Sequence, residues 1–276
     1  MNDKQPIAPL SIVRGEPLQP LDRSGTRLRD DSVGRHDAFR SLRPALAGSQ
    51  RDALEAREAA SHHLQVDCGY YYRNSYDSKL RFACYWHQID QILQQDSRSV
   101  LEVGIGNAFV SDYLRRSGVP VVTVDIDGAL GPTVVGSVLS LPLKERTFDV
   151  VACFEVLEHL PYESFGSALR ELGRLSRRSV IISVPDIGRC YRLLVTIPRL
   201  GERRWMIELP TLRRKPHVFD GQHYWEIGWR GFEIQRIYGD IVRSGFCVEQ
   251  TFRVFEWPYH RVFVLRRSPD TIRGRV

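Results

Sequence analysis

The stretch Val100-Leu101-Glu102-Val103-Gly104-Ile105-Gly106-Asn107 constrains this chain most: an apolar, β-branched run that breaks into Gly-x-Gly. Glycines there let the backbone turn sharply and let a ligand approach where a Cβ would clash. Residues 107–116 then follow a helical pattern, with Val110 and Leu114 one turn apart. Arg115, Arg116 and Gly118 close it, as suits a helix C-terminus. A second apolar run, Val121-Val122-Thr123-Val124, ends at Asp125, twenty-one positions after Gly104. A carboxylate placed there can accept both hydroxyls of a ribose. Strand, glycine turn, helix, strand and acid predict a parallel α/β sheet with a nucleoside-bearing ligand at its tip.

A dinucleotide does not suit this layout. The pyrophosphate fingerprint needs a third glycine at position 109, which is Phe109. Glu102, at the end of the first strand, would repel a pyrophosphate. Beside the cationic amino-acid end of S-adenosylmethionine the same carboxylate is favourable, directly or through water.

On these residues the chain resembles the class I S-adenosylmethionine-dependent methyltransferases, in their small Rossmann-like branch, from about residue 99 to 267. The likeness continues through Gly136-Ser137-Val138-Leu139-Ser140-Leu141-Pro142 and Phe148-Asp149-Val150-Val151. It extends to Glu155-Val156-Leu157-Glu158-His159-Leu160-Pro161 and Val180-Ile181-Ile182-Ser183-Val184-Pro185, in the family's order and spacing. The resemblance implies a Rossmann-like, doubly wound, mostly parallel seven-stranded sheet, with an antiparallel C-terminal strand and helices on both faces. It also implies S-adenosyl-L-methionine as cofactor. Glu102, Gly104, Gly106 and Asn107 would face its methionine part, Asp125 its ribose, and Ser137 and Val138 its adenine; Ile126 and Phe154 complete the expected set. Two positions depart from the family. Ser137 stands where an acidic residue often receives the adenine amino group, and Ala108 replaces the third small residue of the glycine motif. A serine hydroxyl can still accept that hydrogen bond.

Around this core, residues 1–49 carry scattered Pro, Gly, Ser, Asp and Arg without a period, and are expected to form a flexible tail or a partner-binding arm. Residues 50–97 are expected to form an N-terminal helical and lid segment, with a helix over 50–63 and another over 77–95. In the second helix Phe82, Trp86, Ile89 and Leu93 form the stripe, widened by Tyr85 and Ile92. Tyr70, Tyr71, Tyr72 and Tyr76 just before it read either as a lid over the site or as an aromatic packing patch. The methyltransferase domain proper is expected over 98–276, with strands near 98–103, 119–125, 133–138, 148–154 and 179–185. A late helix should end at Gly245, followed by two closing strands at 246–255 and 259–265. Between 187 and 226 the pattern breaks, and a substrate-facing insert is expected there. Over 187–220, eight Arg and Lys side chains face Glu202, Glu208 and Asp220, a local +5 out of the chain's net +6. Such a field suits an anionic acceptor; alternatively the arginines pair with surface carboxylates.

Two constellations could carry chemistry. Glu155, Glu158 and His159, spaced i, i+3 and i+4, could share one helical face and ligate a divalent metal. Some methyltransferases resembling this branch use that motif for Mg²⁺-type ions, while many share the letters without metal. A metal is therefore allowed here but not expected. The second constellation is His217, with Asp220-Gly221-Gln222-His223-Tyr224-Trp225-Glu226. His223, His217 and Glu226 are the candidate catalytic groups, with His223 as general base and Tyr224-Trp225 as a stacking surface. The structural alternative is a turn in which these side chains bond to backbone.

Five cysteines, none in Cys-x-x-Cys spacing, argue against a disulfide framework or a thiolate zinc site. No apolar stretch approaches the roughly 20 residues of a membrane span. The N-terminus lacks the apolar core of a signal peptide, so a cytoplasmic location is expected. The expected function is methyl transfer to an oxygen or nitrogen atom of a small-molecule acceptor, with an anionic one suggested by the insert. The alternatives are an RNA methyltransferase, not favoured because no RNA-binding module accompanies the core, and a non-catalytic protein that binds the cofactor or serves as a scaffold.

Overall fold

The structure is a computed structural model that describes residues 65–73, 75–199, 201–210 and 214–268. The expected tail and the helix over 50–63 lie outside the described residues. Seven strands form the main sheet: β1 (Val100–Val103), β2 (Val121–Asp125), β3 (Val134–Val135), β4 (Phe148–Phe154), β5 (Ser176–Pro185), β8 (Phe246–Arg253) and β9 (His260–Arg267). Their order is β3-β2-β1-β4-β5-β9-β8. β1 to β5 run parallel, and β9 lies antiparallel to both β5 and β8. The predicted Rossmann-like, doubly wound sheet is therefore present.

Among the described residues four α-helices cover it: α1 (Lys79–Leu93), α2 (Phe109–Arg116), α3 (Phe165–Leu175) and α4 (Ile234–Arg243). Because side chains alternate across a strand, Leu101, Val103, Val151 and Cys153 face one layer and Val100, Val150 and Ala152 the other. The first set packs with Phe165, Leu169 and Leu172 of α3 and Ile237 and Ile241 of α4. The second packs with Tyr85, Ile89 and Ile92 of α1 and Val110 and Leu114 of α2. β1 is buried along its whole length, as a strand covered on both faces must be.

The face α1 buries differs from the predicted stripe. Tyr85, Gln88, Ile89 and Ile92 are buried, whereas Phe82, Trp86 and Leu93 are exposed. Local bonds set this rotation: the Tyr85 hydroxyl bonds Asp77, and its ring stacks on Phe109.

The expected insert is also more ordered than its sequence suggested. It contains a two-stranded antiparallel ribbon, β6 (Cys190–Ile197) and β7 (Gly201–Glu208), separate from the main sheet. A buried ionic knot fastens its base. Arg261 binds Asp186 at 2.6 Å and Glu208 at 2.6 Å, while Arg253 donates to the carbonyls of Asp186 and Gly188. Among the described residues no helix is long and apolar enough to cross a membrane.

Candidate active site

In doubly wound sheets, ligands bind outside the carboxyl ends of the strands where the order reverses. Here that point lies between β1 and β4. A cavity of about 690 Å³ opens there, lined by the segments that follow β1, β2 and β4.

Backbone geometry builds one end of it. Gly104 has φ +83°, and a Cβ on it would lie 2.2 Å from Cγ2 of Val156, so only glycine fits this turn. Gly106, at φ +52°, faces the Tyr71 ring, and Ala108 takes the left-handed conformation just before α2. Asp125 braces the turn: its carboxylate accepts from the amides of Ile105 (2.8 Å) and Asp127 (2.9 Å). Burial nevertheless raises its pKa above the ordinary aspartate value. Glu102 is buried beside the turn, and its Oε2 has no partner. Burial pushes its carboxyl up to about 8, against the hydrogen bond of Ser111 and the charge of Arg115. An orphaned buried carboxylate oxygen at a glycine cradle could hold the ammonium of S-adenosylmethionine, and the Asp125 carboxylate could hold its ribose. Ile126, Ser137, Val138 and Phe154 line the same cavity. Asn107 lines it too, but its amide is committed to Asp77 and Tyr85, tying the glycine turn to the start of α1.

Side chains from distant segments build the other end. His223 faces the cavity, with Nδ1 2.8 Å from Oε1 of Glu226. Burial opposes charge on Glu226, yet hydrogen bonds from His223, Tyr259 and Trp229 outweigh it and hold the carboxyl below its ordinary range. An ionised Glu226 accepts a hydrogen bond from Nδ1–H of His223, which leaves the Nε2 lone pair as the acceptor. Glu226 itself is buried behind His223 and does not line the cavity. His217 does not line it either; its Nε2 bonds the carbonyl of His223 at 2.8 Å and braces the loop. Trp225 is wholly buried and donates to the carbonyl of Leu157, so of the expected stacking pair only Tyr224 reaches the cavity.

The face shared by Glu155, Glu158 and His159 does not form. Glu155 sits at φ +53° and turns to Ser183 (2.6 Å) and His260 (2.8 Å). Burial opposes its charge, but His260 and Ser183 prevail and lower its pKa. Glu158 is fully buried, and neither carboxylate oxygen has a partner. Burial and the charge of Glu155 drive its pKa well up. Glu158 instead meets His159 and His223, with ligand atoms of all three within 4.8 Å of one another. His159 is held by Gln65 (2.7 Å) and the carbonyl of Gln222 (3.1 Å), and burial lowers its pKa.

The tyrosines before α1 belong to the cavity. Tyr70, Tyr71 and Tyr76 line it and pack edge to face on one another, and Arg81 lies 4.2 Å from the centre of the Tyr76 ring. The three rings are thus both a packed aromatic patch and part of the cavity wall. Sequence reasoning missed Arg81, Trp257, Tyr259 and His260, all of which line the cavity. Among the described residues of the insert only Phe219, Gln222, His223 and Tyr224 reach it; the described arginines of the ribbon do not.

Residues 101–184 match the family model described as a methyltransferase domain. No curated protein matches the chain in sequence. Among solved structures, it is similar to 1,6-didemethyltoxoflavin-N1-methyltransferase from Burkholderia thailandensis, with 17% identity, 86% of this chain and 88% of that one covered, and a TM-score of 0.46. It is also similar to magnesium protoporphyrin IX methyltransferase from Synechocystis PCC 6803, at 15% identity, 77% and 97% coverage and TM-score 0.48. A third is an S-adenosylmethionine-dependent methyltransferase from Clostridium acetobutylicum, at 8% identity, 73% and 100% coverage and TM-score 0.49. Likeness this distant does not carry an acceptor across.

Proposed function

We propose that the chain is a class I S-adenosylmethionine-dependent methyltransferase, a reading supported by the methyltransferase-domain match over residues 101–184, and that it transfers the methyl group to an oxygen or nitrogen atom of a small-molecule acceptor held in front of His223. The observation that carries this reading is one continuous cavity joining the glycine turn and Asp125 to His223. Its volume of about 690 Å³ lies within the roughly 300–1,000 Å³ of small-molecule sites.

When bound, S-adenosylmethionine supplies an activated methyl group and a neutral thioether leaving group. The residues of the chain do the rest. Glu102 holds the ammonium and Asp125 the ribose. Tyr70, Tyr71 and Tyr76 wall the reacting centre from water, and His223 takes the acceptor's proton at Nε2 while Glu226 steadies its ring. The anionic acceptor suggested by the basic insert loses its support. Arg204 pairs with Glu202 and Glu256, and Arg214 with Glu233. Among the described residues Arg81 is the one Arg or Lys on the cavity wall, against Glu102, Asp125, Asp127, Glu155 and Glu158. An acceptor offering N–H or O–H groups suits these walls better.

A second reading concerns a divalent cation. It is favoured by the unpartnered oxygens of Glu158 facing His159 and His223, whose Nδ1 atoms are already engaged. A carboxylate behind an imidazole is the usual outer support of a metal-binding histidine.

Calorimetric titration with S-adenosylmethionine, with and without Mg²⁺, tests both. Micromolar binding that weakens about 100-fold in Asp125→Ala, a loss of two charge-supported hydrogen bonds, is expected. Binding that needs Mg²⁺ supports the cation. Absence of binding in every condition replaces the enzyme reading with the scaffold.

A further inference from the structure

The β6–β7 ribbon takes no part in the cavity, and its two faces differ in kind. The register sets Tyr191 opposite Ile207, Leu193 opposite Trp205 and Val195 opposite Arg203. Residues directly opposite share a face and successive residues alternate. Tyr191, Leu193, Val195, Ile197, Trp205 and Ile207 therefore form one apolar face, each between 36% and 64% exposed. On the other face Arg192 donates to the carbonyls of Phe255 and Glu256 and Arg204 pairs with Glu256 at 2.7 Å, tying the ribbon to the body, with Leu194 the one large apolar side chain exposed there.

We propose that the apolar face of this ribbon docks the protein on an anionic lipid surface. A contiguous apolar patch on a projecting element marks an interaction site, because its exposure to water is costly. Its composition is that of a membrane interface: Trp205 and Tyr191 are the side chains that settle at headgroup level, and the aliphatic ones suit the acyl boundary beneath. The charge selects the kind of lipid. Arg203 lies on the apolar face, Arg199 in the turn and Arg189 at the base, whereas the ribbon's two acids, Glu202 and Glu208, are engaged by Arg204 and Arg261. A second copy of the same face would oppose arginine to arginine in a chain already at +6; anionic headgroups attract the same groups. Nucleic acid would satisfy the arginines and leave Leu193, Val195, Ile197 and Ile207 without a partner. No membrane span is involved; the ribbon lies in the interface.

The test is sedimentation of the full chain with phosphatidylcholine vesicles, with and without phosphatidylglycerol. Two variants run beside it, Leu193→Ser/Trp205→Ser and Arg199→Glu/Arg203→Glu. All four positions lie on the ribbon away from the cavity, so S-adenosylmethionine affinity serves as the control for folding. The expected result is binding to the phosphatidylglycerol vesicles, lost at least ten-fold in both variants with cofactor affinity unchanged, together with a blue shift of emission that Trp205→Phe removes. Three results would overturn it: no anionic-vesicle binding by the wild type, vesicle binding that survives both variants, or no vesicle binding alongside self-association or binding to a single-stranded RNA that the variants abolish.

Discussion

The two ends of the cavity are made in different ways. At the cofactor end nearly everything comes from one contiguous stretch, residues 102–138, and much of the work is done by backbone: the turn at Gly104 and Gly106, and amides locked onto Asp125. At the acceptor end the walls come from residues 65–81, 154–164, 219–224 and 257–260, and side chains make the surface. The first arrangement is suited to one ligand shape. The second can change its lining while its frame stays in place. From this contrast, damage to the acceptor end should cost turnover without cofactor affinity, and damage to the cofactor end should cost folding and affinity together.

The largest effect is expected at His223. His223→Ala should lower kcat about 10²–10⁴-fold, the usual worth of a general base, with S-adenosylmethionine affinity intact. Turnover like the wild type in that variant would remove His223 from the chemistry. Next comes Gly104→Ala, which strikes the backbone end. Its left-handed conformation costs about 1–2 kcal/mol. Overpacking against Val156, whose Cγ2 would stand 2.2 Å from the new Cβ, adds about 1–3 kcal/mol. Thermal unfolding should show the loss directly, and an unchanged midpoint with normal affinity would break the contrast.

The smallest effect is a pH dependence at Glu102, whose carboxyl is pushed up to about 8 by burial. Protonated Glu102 contributes stability to the free protein at low pH, and that contribution is lost as pH rises from the ordinary glutamate range through about 8. An ammonium beside Glu102 favours the charged form, so cofactor binding releases a proton below that pH. Affinity should therefore rise toward pH 8, approaching about ten-fold per unit, and level off above it. Glu102→Gln should flatten the profile. Calorimetry in buffers of different ionisation enthalpy counts the proton, and a flat wild-type profile would refute this role.

The same contrast explains what could be read from the sequence. Val100 to Val124 announces its fold because periodicity, glycine and a terminal acid all act locally. The strands and helices of the core follow for the same reason. Glu155 and His260 are over a hundred positions apart, and no local pattern signals that the histidine would pair with this carboxylate. Trp225 looked like a ligand-stacking ring because composition cannot tell a buried indole from an exposed one. The ribbon did carry a signal, alternation from Tyr191 to Ile197 and a Pro198 to Gly201 turn, but Leu194 and the arginines blurred it. On α1 two overlapping apolar stripes were available, and the bonds of Asp77, Tyr85 and Asn107 decided between them.

The loop that carries His223 is sewn to the sheet just beyond its tip. Tyr224 donates its amide to the carbonyl of Glu158, Trp225 its indole to that of Leu157, and Ile227 its amide to that of Pro185. Those stitches use main-chain carbonyls and one buried ring, and none of them depends on the side chains at 219, 222 and 224. The acceptor wall is thus an exchangeable fitting on a fixed bracket. A library confined to Phe219, Gln222 and Tyr224 would vary the wall of the cavity while leaving the proposed base, His223, in register with the glycine turn.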